Sequence, residues 1–510
     1  MKISITDFGA IGDGITLNTE AIKKAITACE LGNGGTVVVP SGRYVTGPIQ
    51  LVSNMTFEVQ AGAVILFTDD FQAYPPVKTR WSGYECFAFT PLLFGNNLEN
   101  VTICGQGTFD GQGQAWWKIA NKLKEGKSFA NDRTMEIRKA NEEMLPGIET
   151  NILEWETQFL RPPLCQLIDC QQVTIEGVTL QNSPFWNTHL VYCDHVSVRG
   201  VTINNPADSP NGDGLDIDSS RNVRIIDCHF DVGDDCLCLK SGINEDGRRV
   251  AIPTENIVVT NCTMARGHGG IVFGSESSGG IKNVTVSNCV FIGTDRGIRF
   301  KTNRARGSYI KSIMISNIYM ENVFCPIAIN SFYRYGVDEN DPSMNVLEAI
   351  DVTEKTPIIK DIHISHIIAK NVRAAAAFIY GLPEMPIQRL NLSHLSIEMT
   401  KDPNEQGGEP DMVKETILRA GDGMFIRFVD DLIMTDVTVE TRQGPALTIK
   451  NGKELELHQV RMKERHANTP VVELENSQGV FLEGAQFFRE KETFVKMDEK
   501  MMSQLITPYL

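Results

Sequence analysis

At 510 residues, 42% hydrophobic and 22% charged, the chain is too long for one ordinary compact domain and too apolar to be disordered. Its 64 acidic against 48 basic side chains give a formal charge of −16, a field that repels nucleic acid and anionic membrane surfaces. Neither is expected as a partner, and an anionic ligand needs a local basic cluster to hold it.

In chain order, Met1-Lys2-Ile3-Ser4-Ile5-Thr6-Asp7 carries no apolar core of a signal peptide, and no stretch approaches a membrane span. The 12 cysteines all lie at or before Cys325 and form no CxxC pair, so free thiols and a cytoplasmic location are expected. The glycine-rich run from Asp7 to Gly14 lacks the strand before it and the Lys-Ser/Thr after it that a phosphate loop requires, and reads as turn structure. Ile22, Ala25, Ile26 and Cys29 then fall on one helical face, predicting an amphipathic helix that closes the end of a solenoid.

A short β-rich unit follows and recurs. Its copies include Asn100-Val101-Thr102-Ile103, Gln172-Val173-Thr174-Ile175, His195-Val196-Ser197-Val198, Asn222-Val223-Arg224-Ile225 and Asn256-Ile257-Val258-Val259. Further copies begin at Asn283, Ser312 and Asp361, with weaker ones at Leu390, Leu432, Leu455 and Val480. Steps of roughly 27–29 residues between middle copies, β-branched residues and no intervening helical pattern predict an all-β parallel solenoid. Cys228, Cys262 and Cys289 share one register of the repeat and are expected as a ladder of buried thiols.

Two stretches break the rhythm. About residues 112–161 read as a helical insertion, with Trp116, Ile119 and Leu123 on one face and Ile152, Trp155 and Phe159 on another. A loop insertion is expected at about 336–356. The whole of 1–510 is expected as a single β-helix domain.

Stacking the coils aligns Leu215 with Leu237, Ile271, Ile298 and Ile327, and Ile217 with Leu239, Phe273, Phe300 and Ile329, all facing the core. The alternate positions face out and include Asp218, Lys240, Arg299 and Lys301. Just before the strands, Asp213 and Asp235 should stack one coil apart, and Asp234 should lie beside His268. Like charges so close raise one carboxyl pKa, which suits acid/base work. From Arg296 to Arg306 five basic residues and no acidic one supply the cluster that an anionic ligand needs. A solvated basic face is the expectation for Arg304 and Arg306 among them. Together these groups point to hydrolysis of an acidic polysaccharide.

Asn211-Gly212-Asp213, Asp234-Asp235, Gly267-His268-Gly269 and Arg299-Phe300-Lys301 resemble, in order, the four motifs of the polygalacturonases, glycoside hydrolase family 28. The resemblance runs from the N-terminal helix to about Tyr333, and Gly212 and Phe300 depart from the usual motif at non-functional positions. It implies a right-handed parallel β-helix of the pectin-lyase-like kind and inverting hydrolysis. By resemblance Asp234 is the general acid, Asp213 and Asp235 activate the water, and His268 orients Asp234. Arg299, Lys301 and Tyr333 bind the sugar on the leaving-group side, and Lys240 and His189 are further candidate substrate-binding residues.

No metal or cofactor is implied. The expected partner is an acidic oligosaccharide, with a homo-oligomer left open. The expected reaction is exo-cleavage of α-1,4-galacturonosidic bonds from the non-reducing end. The helical insertion, helped by the segment Arg80–Glu85, would wall off the cleft. Ordinary packing explains that segment equally well. A rhamnogalacturonan-directed hydrolase, a calcium-dependent lyase and a non-catalytic binding β-helix are the competing readings.

Overall fold

The computed structural model describes residues 1–144, 155, 157–336, 341–414, 418–464, 470–488 and 495–497. The chain divides into two units, residues 1–242 with 252–263, and residues 243–251 with 264–510.

The first unit is a parallel β-helix. Each coil contributes short strands, such as Cys165–Ile168, Gln171–Glu176 and Thr179–Gln181, and each strand pairs in parallel with its counterpart in the next coil. The repeat sets the register. Val101, Val173, Val196, Val223 and Ile257 stand directly above one another, each at most 1% exposed. The polar residue before each marker has a backbone reason: Asn100, Gln172, His195, Asn222 and Asn256 all have φ between 55° and 60°. The corner needs the left-handed conformation, which Asn tolerates better than most residues. Cys228 and Cys262 are buried in the expected ladder.

Helix α1 (Thr19–Leu31) buries Ile22, Ala25, Ile26 and Cys29 and packs on the first strands. Before it, Ile5–Phe8 form a 3-10 turn ending at Gly9, but Asp13–Leu17 form a strand, so only part of the glycine-rich run is turn. The insertion contains helices α2 (Gln114–Lys124) and α3 (Asp132–Met144). Trp116, Trp117, Ala120 and Leu123 are the buried face of α2, while Ile119 is half-buried. Trp116 packs among Phe71, Tyr74, Phe89 and Phe159 with ring centroids 4.4–5.6 Å apart. Trp155 and Phe159 are buried as expected, and Ile152 lies outside the described residues.

One element escapes the repeat reading. Pro76–Trp81 and Tyr84–Phe89 form an antiparallel hairpin turning at Ser82-Gly83, both at positive φ. Helix α3 grips it through Asn141, whose side-chain amide donates to the Phe87 carbonyl and accepts from the Phe87 N–H.

In the second unit neighbouring strands merge into long ones, including Ile281–Ile292, Tyr309–Glu321 and Ile358–Val372. Val284, Ile313, Ile362, Leu390, Leu432, Leu455 and Val480 stack in register, so the weaker copies are true coils. Their corner residues again have φ of 51–62°. Ile271, Ile298 and Ile327 form one core column, and Phe273, Phe300 and Ile329 the next. Helix α4 (Asn244–Val250) belongs to this unit. Within the expected loop insertion, Pro342–Met344 form a 3-10 turn, and residues 337–340 lie outside the described residues.

Candidate active site

The acidic cluster is built in the first unit. Asp213 precedes the strand Leu215–Asp218, and Asp235 opens the strand Asp235–Lys240. The Gly214 N–H donates to the Asp235 carbonyl, and Leu215 pairs with Leu237, so Asp213 and Asp235 stand one coil apart as expected. Gly214 allows this approach, because a Cβ there would meet the Cys236 carbonyl at 2.3 Å. The turn carrying Asp213 is braced by Asn205, donating to the Gly212 carbonyl, and by the buried Arg161. The Arg161 guanidinium donates to the carbonyls of Pro184 and Pro210 and to Asn211 Oδ1.

Oxygens of Asp213, Asp234 and Asp235 all lie within 4.8 Å of one another. Asp213 and Asp235 are 3% and 1% exposed, while Asp234 is half-buried and faces solvent in part. Asp234 Oδ1 accepts the Asp235 N–H at 2.9 Å. Burial pushes the Asp213 carboxyl well above its ordinary range. Asp234 and Asp216 push the same way, Lys240 opposes them, and Asp235 adds a smaller upward push. A proton is therefore held in this cluster at pH values where an exposed aspartate has lost its own.

Asp216 is a member the sequence reading missed. It is fully buried, 3.5 Å from Lys240 Nζ, and has an oxygen within 4.8 Å of Asp213. In the sequence it is one more polar residue alternating along a strand, with nothing local to mark it. Lys240, 3% exposed, also sits 4.3 Å over the Trp186 ring. Among the described residues two groups could hold a cation, Asp213 with Asp234 and Asp235, and Asp213 with Asp216 and Cys238. Both include Asp213 and form one cluster.

His189 is 1% exposed, with both ring nitrogens engaged. Gln166 accepts from Thr79 through Oε1, so its amide nitrogen is the donor to His189 Nδ1 at 2.9 Å. Nε2 then carries the proton and donates to Asp218 at 3.3 Å. Burial lowers the His189 pKa against the opposing pull of Asp218, which keeps the ring neutral. Asp218 pairs with Arg80 of the hairpin at 3.1 Å, and Arg80 also donates to Ser219. Trp81 stacks on Phe185 and donates to the Arg161 carbonyl. Arg80, Trp81 and Tyr84 are thus packed and buried, and His189 bridges Gln166 and Asp218, the two sheet residues that bind the hairpin.

The basic cluster is built in the second unit on the strand Arg296–Lys301. Arg299, 2% exposed, pairs with Asp411 at 2.6 Å. The Arg299 guanidinium and Lys301 Nζ lie 5.5 and 5.4 Å from the centre of the Tyr333 ring. Arg304 and Arg306 correct the expectation of a solvated face, being 3% and 0% exposed. Arg304 grips Glu384 through two bonds of 2.7 Å, and Arg306 is surrounded by acceptors, including the carbonyls of Ser275, Tyr335 and Gly336. The many donors of a guanidinium let it tie backbone segments together inside the fold. His268 is exposed, in the bend before the strand Gly269–Phe273, with its carbonyl accepting the Arg296 N–H.

The family profile described as Glycosyl hydrolases family 28 matches residues 154–357, and one described as Rhamnogalacturonase A/epimerase, pectate lyase-like matches residues 2–78. A "Probable polygalacturonase" of Vitis vinifera is 33% identical over 407 residues, covering 78% of this chain and 74% of its own length. An endo-polygalacturonase of Pectobacterium carotovorum subsp. carotovorum is 28% identical, covering 66% of this chain and 78% of its own. The crystal structure of a hyperthermoactive exopolygalacturonase from Thermotoga maritima superposes with a TM-score of 0.67 at 30% identity, covering 85% of this chain and 91% of that one. The fold is accordingly the right-handed parallel β-helix. With the aspartate motifs, their stacked geometry and these relatives in agreement, the chain belongs to family 28 of the glycosyl hydrolases and is a glycoside hydrolase.

Proposed function

We propose that the chain cleaves α-1,4-galacturonosidic bonds of pectic oligosaccharides by inverting hydrolysis, releasing galacturonate from the non-reducing end. The observation that carries the chemistry is the crowding of Asp213, Asp234 and Asp235 within 4.8 Å, where burial and neighbouring carboxylates raise the Asp213 carboxyl so that the cluster shares a proton. Asp234, the most exposed of the three, is placed to protonate a leaving oxygen. Asp213 and Asp235 share the task of activating a water. The nearest-oxygen spacing is tighter than the gap of about 6.5–9.5 Å common between inverting carboxyls. The reading therefore requires a water gripped by the Asp213–Asp235 pair on the side away from the leaving group. By family resemblance His268 orients the acid, and Arg299 and Lys301 recognise the uronate.

The exo mode is supported by the hairpin Pro76–Phe89. Thr79 binds Gln166 and Arg80 binds Asp218, so the hairpin is pinned onto the outward side of the strands Cys165–Ile168, Thr188–Val191 and Leu215–Asp218. A wall over these coils leaves room for a chain end and not for a chain running through. The Thermotoga relative is itself an exopolygalacturonase. A product time course on long polygalacturonate tests this. Early monomer with little fall in viscosity is expected. Early mixed oligomers with rapid viscosity loss would refute the wall. The match of residues 2–78 to a rhamnogalacturonase-type profile favours a second reading, action on the alternating rhamnose–galacturonate backbone. Faster turnover of rhamnogalacturonan oligomers than of tri-galacturonate would establish it.

A further inference from the structure

In the second unit the segment Glu409–Val413 lies across the strands Arg296–Lys301 and Cys325–Asn330. Arg296 donates to the carbonyls of Glu409 and Pro410 at 2.6 and 2.8 Å. Asn330 Nδ2 donates to the Met412 carbonyl at 3.0 Å, and the Tyr333 hydroxyl reaches Met412 Sδ at 3.5 Å. These contacts deliver one carboxylate to Arg299, from 112 residues away in the chain. Asp411 Oδ1 accepts from Arg299 Nη2 at 2.6 Å and from the Met412 N–H at 2.7 Å. Asp411 is fully buried. Burial alone would raise its carboxyl, but the charges of Arg299 and Arg296 outweigh that and hold it below its ordinary range.

We propose that Asp411 is a positioning and specificity residue for uronate recognition, acting through Arg299. The inference rests on the reading of Arg299 as a contact for the sugar carboxylate. A guanidinium on a flexible stem loses rotamer freedom when it grips a ligand, and anchoring it beforehand removes that cost from the binding step. Asp411 anchors Arg299 on one side while Tyr333 supports its face. Asp411 also sets the charge. The Asp411 carboxylate offsets the Arg299 charge in part, so the guanidinium gains most from an anionic sugar that completes its pairing and least from a neutral hexose.

The test is steady-state kinetics on tri-galacturonate for the wild type, Asp411→Asn, Arg299→Ala and the double variant. Asp411→Asn should raise KM about tenfold with kcat within about twofold, the loss of one charge-assisted anchor. Arg299→Ala should raise KM further, and the double variant should match Arg299→Ala alone, because Asp411 has then nothing to position. Asp411→Glu keeps the charge but shifts the anchor by a methylene. It should also raise KM, and it decides the matter if Asp411→Asn does not fold. An unchanged KM in Asp411→Asn or Asp411→Glu would overturn the proposal. Single effects that multiply in the double variant would do the same, by showing action through the fold instead of through Arg299. If Arg299→Ala itself leaves KM unchanged, the uronate reading fails at its own step, and the proposal with it.

Discussion

In the first unit three aspartates crowd one strand edge, a fourth is buried beside them, and Lys240 offsets their repulsion only in part. In the second unit the arginines have their counter-charges or acceptors in place: Arg299 with Asp411, Arg304 with Glu384, Arg306 with backbone carbonyls. Both clusters are buried, yet one stores repulsion and the other dissipates it. Stored repulsion has no structural use, since replacing one carboxylate would relieve it. It does hold a proton above the ordinary aspartate range, which a general acid or a carboxyl pair needs. Neutralised arginines are the opposite case. They tie loops to strands, and most of the run Arg296–Arg306 is architecture before it is recognition.

The largest expected effect tests the repulsive cluster. Asp234→Asn keeps the shape but removes the transferable proton, and turnover should fall about 10²–10⁴-fold while the fold persists. Near wild-type turnover on an unactivated oligosaccharide would remove Asp234 from the acid role.

The next tests the neutralised cluster. Glu384→Ala leaves the Arg304 charge buried without its bidentate partner, and should lower unfolding free energy by about 3–5 kcal/mol. Kinetics of the folded variant should stay near wild type. A loss of kcat without a loss of stability would show that this pair belongs to the chemistry.

The smallest effect sharpens the contrast through pH. The folded-state pKa of Asp213 lies above its ordinary value of 3.8. Its contribution to stability is therefore fully present below that value and is lost as pH rises through the folded pKa. At neutral pH the unfolded chain ionises Asp213 more favourably than the folded chain does, so the group opposes folding. Asp213→Asn should be inactive yet more stable than wild type at pH 7, by about 0.5–2 kcal/mol. The difference should fade on acidification below pH of about 4, where both proteins carry a neutral side chain. A variant less stable than wild type at pH 7 would show that Asp213 carries a structural bond outweighing the repulsion. Thermal unfolding at pH 7 and pH 3.5 measures both arms.

The coils were legible in the sequence because their signal is local and periodic. Each apolar marker sits after a polar corner residue, and the corner's left-handed backbone explains why Asn recurs there. Helix α1 was legible for the same reason, its four apolar positions falling on one face. The aspartates became legible once the coils were stacked, since register alone brings Asp213 opposite Asp235. What stayed hidden is non-local or has no repeating pattern. The hairpin Pro76–Phe89 is stabilised by partners far along the chain, with Arg80 reaching Ser219. Asp411 has no local pattern that ties it to Arg299. Asp216 and Asp218 occupy positions where a polar residue is unremarkable in a sheet with one wet face. A hairpin lying over that face buries Asp218. Arg304 and Arg306 were misjudged because a basic run resembles a solvated surface until the loops that cover it are known.

The most direct test of the acidic cluster as an inverting hydrolytic centre is a proton NMR time course on tri-galacturonate with the purified chain. The account predicts saturated galacturonate appearing first as the β-anomer, the inverse of the α-linkage cleaved, and mutarotating only later. The α-anomer first, an unsaturated uronate, or no turnover at all would contradict it.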